Sequence, residues 1–393
     1  MGRIVPMEGN QAVAEAMRQI NPDVVAAYPI TPSTEAVQVF ARFVADGEVD
    51  TNYVAVESEH SAMSACIAAS IAGGRVMNVT ASQGLALMWE MLYIAASLRA
   101  PVVLSVSNRA LSGNINIHCD HSDSMGARDA GWIQLYGENV QEAYDNLIQA
   151  VVIAEREDVR LPVMNCYDGF LVSHSYELLQ VEDDEAVREF VGPYKQVRPL
   201  LDVEHPYTVG PLDLYDFYHE HKRNQWEAYG PAKKAVVEVG QAFGERFGRY
   251  YGLFEELYLD DAESVIVALS SAAGTAKDVV AQRRERGEKV GLLKLRCFRP
   301  FPAEEIADAL GNAKVIAVMD RAASFGAGWG TTYPEILAAL YLAGKQIPAV
   351  NYIYGLGGRM VAPEDIHVVF DDLAEILRTG QIGATTRWLG VRE

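Results

Sequence analysis

Three side chains in the first third of the chain stand where a small anionic substrate could be held and its chemistry started. Thr31 lies in "AAYPITPST" (26–34), between Pro29 and Pro32. Glu59 lies in "VESEHSAMSACIAAS" (56–70), and Arg109 closes the apolar run that ends "SVSNR" (105–109). A threonine hydroxyl beside free backbone N–H groups at a helix start is an anion site. The plain reading of Thr31 is a helix N-cap with Pro32 at the first helical position, and the two readings are compatible. Glu59 either complements a helix dipole from the first turn or is a carboxyl kept among small apolar residues to share a proton with a ligand nitrogen. An Arg at a strand end is either an exposed cation or a two-pronged grip on a carboxylate.

These residues need a scaffold that brings them together. Short β-branched runs, "DVVAAYP" (23–29), "YVAVE" (53–57), "RVMNVTAS" (75–82), "PVVLSVSN" (101–108) and "LPVMNCYDG" (161–169), alternate with helical patterns. That alternation predicts a doubly wound parallel sheet covered on both faces. Ligands of such sheets bind at the carboxyl ends of the strands. Those ends carry Thr31, Glu57 and Glu59, Ser82 and Gln83, Asn108 and Arg109, and Asp168. Glu57 is expected to face away from Glu59. A second alternation with strands near 264–270, 290–296, 314–320 and 347–355 predicts a smaller α/β domain. The expected division is a first domain with its connector at 1–230, a linker helix at 231–258 and a second domain at 259–393.

After Arg109 comes "ALSGNINIHCDHSDSM", long enough for a lid. Its His118, Cys119, Asp120, His121 and Asp123 look superficially like a metal cluster. With no second ligand group at a recognisable spacing, a polar loop is the better reading. "FGAGWG" (325–330) and "GLGGR" (355–359) miss the dinucleotide fingerprint, and tight turns or close packing account for them equally well.

The 393 residues carry 33 Lys and Arg against 53 Asp and Glu, a formal charge of -20. That disfavours nucleic acid and anionic membrane as partners of the chain as a whole. Cys66, Cys119, Cys166 and Cys297 are scattered without a CxxC, which excludes a self-contained iron–sulfur cluster or zinc ribbon by spacing. No apolar run approaches the roughly 20 residues of a membrane span. The polar opening does not read as a signal peptide, and a soluble cytoplasmic protein is expected.

The blocks "AAYPITPST", "VESEHSAMSACIAAS", "TASQGLALMWE", "SVSNRALSGNINIHCDHSDSMGARDAGWIQLY" and "YDGFLVSHSYE", followed by "YTVGPLDL", "LKLRCFRPFP", "VMDRAASFGAGWG" and "GLGGRMVAPEDI", resemble in order the α subunit of multi-subunit pyruvate:ferredoxin oxidoreductases, members of the 2-oxoacid:ferredoxin oxidoreductase family. The resemblance implies a pyrimidine-binding thiamine-diphosphate domain followed by a domain like the C-terminal domain of transketolase. It implies a reversible reaction in which pyruvate, coenzyme A and oxidised ferredoxin give acetyl-CoA, CO₂ and reduced ferredoxin. Thiamine diphosphate would lie between this chain and a β subunit. Mg²⁺ and [4Fe-4S] clusters would belong to partner subunits, with γ and δ chains completing the assembly and no metal held by this chain.

By the same resemblance, Glu59 contacts N1′ of the aminopyrimidine, where proton sharing favours the imino tautomer that can take the proton from thiazolium C2. Thr31 and Arg109 bind the substrate carboxylate, Tyr28 and Ile30 adjoin the substrate, and Asn108 supports Arg109. Relatives acting on oxalate carry Arg at the position matching Thr31, so threonine here favours a monocarboxylate, and pyruvate over 2-oxoglutarate or branched-chain acids. The alternatives are a subunit of a related 2-oxoacid ferredoxin oxidoreductase acting on 2-oxoglutarate, branched-chain acids or oxalate, a non-catalytic assembly subunit, and a different enzyme class on similar modules, such as a nucleotide-dependent oxidoreductase.

Overall fold

The computed structural model describes residues 2–392. Two sheets organise the chain. The first has seven strands, in spatial order Cys297–Arg299, Ile133–Gly137, Val163–Asp168, Val103–Asn108, Val76–Thr80, Val24–Ala27 and Asn52–Ala55. All its neighbours pair in parallel except the first. The strands Val76–Thr80, Val103–Asn108 and Val163–Asp168 are buried at every position. This is the mark of a parallel sheet with helices on both faces. The second sheet has six strands, with Val315–Asp320, Ser264–Leu269 and Val290–Leu295 at its centre and only Phe254–Leu257 antiparallel.

Two elements depart from the sequence expectation. The sequence patterns give no strand between the loop after Arg109 and the helical run from residue 140, yet Ile133–Gly137 forms a strand with all five residues buried. Its polar member, Gln134, donates from Nε2 to the Ser124 carbonyl at 2.8 Å, while its Oε1 is buried without a partner among the described residues; a polar side chain taken into the core is what composition does not reveal. The linker helix also ends early. It spans Tyr229–Phe247 and stops at Gly248, whose φ of 80° is the left-handed conformation that closes helices; the chain then forms the edge strand Phe254–Leu257.

The two halves share structure across residue 259. Cys297–Arg299, from the second half, adds to the edge of the first sheet opposite Leu135 and Gln134. One apolar cluster runs from Met63 and Trp132 through Tyr136 and Phe298 to Val267 and Ile316. Lys294, on a central strand of the second sheet, is buried and reaches back to Glu138 at 2.9 Å and to Glu142 of the first half. Among the described residues no helix is long and apolar enough to cross a membrane.

Beneath the turn at residues 30–34, Glu8 is buried beside the Glu35 carboxylate. Burial, then that neighbour, pushes its carboxyl up to about 7. The folded chain therefore holds a proton here that an unfolded chain releases near pH 4.5. Bound protons in excess in the native state mean that stability falls as pH rises from about 4.5 to 7. Glu8→Gln should stabilise the chain by about 1 kcal/mol at pH 8 and by nothing at pH 4. Denaturant titrations of the two chains at both pH values check this, and an equal difference at the two would count against it.

Candidate active site

The strand ends do converge. Beyond Ala27 the chain leaves the first sheet through Tyr28 and Pro29, both exposed, and Ile30, half buried. It then turns back on itself: the Ile30 carbonyl accepts from the Ser33 backbone N–H at 2.9 Å and from its hydroxyl at 2.8 Å. The helix begins at Thr34, with Ser33 at the cap position. Thr31 is thus not an N-cap, which corrects the plain reading of this residue. Hydrogen bonding within the turn delays the helix by two residues and leaves Thr31 exposed. Asn10, itself buried, holds the turn from below by donating to the Pro32 carbonyl at 2.7 Å.

Arg109 meets this turn. Its Nη1 donates to the Thr31 carbonyl at 2.8 Å and its Nε to the Asn116 carbonyl at 3.2 Å. The residue is 5 % exposed, and burial lowers its pKa somewhat against the pull of Asp123. A guanidinium fixed on two neutral carbonyls keeps its charge uncompensated and its Nη2 without a partner among the described residues. Such a cation suits an incoming carboxylate.

Asp123 organises what lies behind Arg109. Wholly buried, it accepts from the backbone N–H of Arg109 and of Ser82, both at 2.9 Å, from Asn108 Nδ2 at 2.8 Å and from its neighbour Ser124 N–H at 2.7 Å. Burial pushes this carboxyl up to about 6, and these donors limit the rise. Asn108 gives its remaining Nδ2 hydrogen to Ser124 Oγ at 2.7 Å. Its support of Arg109 is therefore indirect, through Asp123 and not through the guanidinium.

Glu59 is the first residue of the helix Glu59–Ala72, whose cap Ser58 accepts from Ser61 N–H at 3.2 Å. It is 6 % exposed, and among the described residues nothing hydrogen-bonds to its carboxylate. Gly84 makes room for it, since a Cβ there would lie 2.8 Å from Glu59 Oε1 and 2.5 Å from Thr80 Oγ1. Thr80 Oγ1 is itself buried without a partner. Glu57 is exposed and accepts from the Ser61 hydroxyl. A continuous set of contacts thus links the candidates: Glu59 to Gly84, two residues on from Ser82, Ser82 to Asp123, Asp123 to Arg109, and Arg109 to Thr31.

The loop "HCDHSD" is a joint between the two sheets. Asp168, at a strand end of the first sheet, accepts from His121 Nε2 at 2.7 Å, Ser270 Oγ at 2.9 Å, Arg321 Nη1 at 2.5 Å and the Ser271 hydroxyl. Burial pushes the Asp168 carboxyl up, but the Arg321 guanidinium and His121 outweigh it and hold it well below the usual carboxylate range. Cys119, His121 and Asp168 do lie within 4.8 Å of one another. Arg321 supplies the positive charge of that group, since its Nη1 also lies 3.8 Å from Cys119 Sγ.

"GLGGR" closes over the same loop. Gly358 N–H donates to the Cys119 carbonyl at 2.6 Å, and a Cβ on Gly357 or Gly358 would strike Asn116 or His118 at 2.3 or 2.4 Å. Close packing, not nucleotide binding, accounts for those glycines. Ser270, Ser271 and Arg321 stand at strand ends of the second sheet. Applying the strand-end rule there as well would have found them.

Two family descriptions match the chain: "Pyruvate flavodoxin/ferredoxin oxidoreductase, thiamine diP-bdg" over residues 15–241, and "Pyruvate:ferredoxin oxidoreductase core domain II" over residues 262–366. The chain belongs to that family. Among curated relatives, the pyruvate synthase subunit PorA of Thermotoga maritima is 54 % identical over 99 % of this chain and 98 % of its own length. PorA of Methanocaldococcus jannaschii is 45 % identical over 100 % and 99 %. The ketoisovalerate oxidoreductase subunit VorA of Pyrococcus abyssi is 43 % identical over 97 % and 96 %. The fold agrees with that of a 2-oxoglutarate:ferredoxin oxidoreductase from Magnetococcus marinus, at 20 % identity and a TM-score of 0.71 over 95 % of this chain; the chain spans 65 % of that structure's chain. A split-gene transketolase matches at 10 % identity and a TM-score of 0.52, over 96 % of this chain and 99 % of that one. The first sheet with its helices accordingly falls in the thiamine-diphosphate-binding domain of the family, and the second in its core domain II.

Proposed function

We propose that the chain is the α subunit of a thiamine-diphosphate-dependent pyruvate:ferredoxin oxidoreductase, which converts pyruvate and coenzyme A to acetyl-CoA and CO₂ and passes the electrons to ferredoxin. The observation that carries the reading is the fixed pair at the rim, Arg109 on the Thr31 carbonyl at 2.8 Å, joined through Asp123 and Ser82 to the helix that shelters Glu59. Thiamine diphosphate, when bound, supplies the carbon nucleophile for the keto group. The Gly84 cradle and the carboxylate left without a partner fit its aminopyrimidine edge.

Glu59 then shares a proton with the ring nitrogen N1′ of that aminopyrimidine. Its burial limits the access of water that would compete for the proton. Arg109 receives the substrate carboxylate through its free Nη2, and the exposed Thr31 hydroxyl donates from the other side. Tyr28 and Ile30 border the keto acid's small side chain, and a single fixed cation suits a monocarboxylate.

A partner is needed to complete the site. The exposed Leu87, Trp89, Tyr93 and Ile94 follow Gly84 along the chain, and apolar exposure of this kind supports a docked subunit. We place the diphosphate and its Mg²⁺ on a β subunit, and the [4Fe-4S] clusters that relay electrons to ferredoxin on other chains of the complex. The four cysteines here are all buried singly, and so acidic a chain would itself repel an acidic ferredoxin.

The test is CO₂ release from pyruvate by the assembled complex with thiamine diphosphate, coenzyme A and a one-electron acceptor. Arg109→Ala should raise the pyruvate KM about tenfold or more, with thiamine diphosphate affinity unchanged. An unchanged pyruvate KM would remove Arg109 from the site. Turnover with 3-methyl-2-oxobutanoate in place of pyruvate would instead favour a branched-chain enzyme.

A further inference from the structure

At the opposite strand ends of the first sheet, four cations converge, none of them in an ion pair among the described residues. Arg99 lies just before the strand Val103–Asn108, and Arg160 just before Val163–Asp168. Arg198 belongs to the connector, and Lys222 to the helix Tyr218–Glu227. All four line one cavity of about 730 Å³. In a chain of net charge -20 whose cations are mostly paired, none of the four has a carboxylate within 4 Å among the described residues.

Their hydrogen-bond partners are neutral. Arg99 donates to the carbonyls of Val159 and Arg160 and to Asn224 Oδ1 at 3.4 Å. Lys222 donates to Ser97 Oγ at 2.6 Å and to Gln225 Oε1 at 3.1 Å. Arg160 and Arg198 make no side-chain hydrogen bond among the described residues. Burial and the charge of Arg160 lower the Arg99 pKa, the sign of like charges crowded together. Two acids also line the cavity: Asp213, engaged by His221, and Glu157, exposed and paired with none of the four.

A further observation points to a ligand. Gln196, 8 % exposed, lines the same cavity with its Oε1 buried and without a partner. The "YTVGPLDL" segment forms one side of the cavity, with Gly210 turning in the left-handed region (φ 67°). Leu98, Val209 and Pro211 give it an apolar wall, and Tyr207 and Tyr218 offer ring faces. Four positive charges from separate elements, an apolar wall and a nucleotide-sized volume suit one class of ligand. We propose that this cavity binds a small phosphate-bearing molecule with a planar body, of the nucleoside diphosphate class. Six-residue strands separate it from the Thr31–Arg109 rim by about 20 Å, so its occupant would act on the enzyme from a distance and not as a reactant. The proposal stands independently of the function proposed above.

Titration calorimetry of the full chain with ADP and with inorganic pyrophosphate tests it. Saturable binding of ADP is expected, tighter than pyrophosphate because only ADP covers the apolar wall. Arg198→Ala and Arg160→Gln should each weaken ADP about tenfold. Arg198 is exposed, so its variant tests the idea even if the Arg160 variant folds poorly. Lack of saturation at millimolar ADP, or unchanged affinity in Arg198→Ala, would overturn the proposal. So would release of ADP when the partner subunits are added, because the cations would then serve an acidic protein surface.

Discussion

Glu59→Gln should lower turnover of the assembled complex by about 10²- to 10⁴-fold, the usual span for losing a positioned proton-sharing group. The substitution keeps the side chain's volume, so the contact with Gly84, where a Cβ would come within 2.8 Å of Oε1, is preserved. What it removes is the ability to take up and return a proton at the aminopyrimidine. Thiamine diphosphate should still bind within a few fold, and the chain should melt at the same temperature. A fall in kcat with cofactor affinity and melting unchanged separates a chemical role from a structural one. Turnover at the wild-type level would instead support a subunit that serves assembly while the chemistry lies elsewhere.

Much of this site is legible in the sequence because one rule of parallel sheets is local: polar residues just past strand ends meet at one rim. That rule selects Thr31, Glu59, Asn108, Arg109 and Asp168 from strand patterns alone. What it cannot rank is importance among buried polar groups. Asp123 is one acid among several in "HCDHSD", and its four donors come from residues 82, 108, 109 and 124. Three of those four come from strand or helix ends far along the chain, and no spacing reveals them. The reading of Thr31 as a cap fails for a related reason. Its pattern matches a helix start, but the Ser33 hydrogen bonds to Ile30 take precedence. The strand at Ile133–Gly137 escapes notice because its polar Gln134 is taken into the core, with its amide nitrogen bonded to the Ser124 carbonyl. Long-range pairing decides each of these cases.

Removing Arg321 should have the largest effect on stability. Its guanidinium is 3 % exposed and faces Asp168, which is fully buried. Breaking such a pair leaves an uncompensated buried charge, a cost of about 3–5 kcal/mol. Asp168 would keep His121, Ser270 and Ser271 as donors, so the loss in Arg321→Ala should fall toward the lower end of that range. Because the Asp168 carboxyl is held well below the ordinary range, the pair's contribution is present above the unfolded carboxylate's pKa and lost only as pH falls through the lower folded value. Asp168→Asn with Arg321→Gln should recover part of the loss, since neither charge is then stranded. Denaturant unfolding of the single and double variants measures the coupling, and a loss below 1 kcal/mol in Arg321→Ala would show that the joint is solvated. The consequence reaches the candidate site. His121 N–H donates to the Arg321 carbonyl at 2.9 Å, and the loop carrying His121 runs on to Asp123, which fixes Arg109. Pyruvate KM should therefore rise in Arg321→Ala at temperatures where the chain is still fully folded, because the loop that orients the carboxylate-binding cation is anchored on the second sheet.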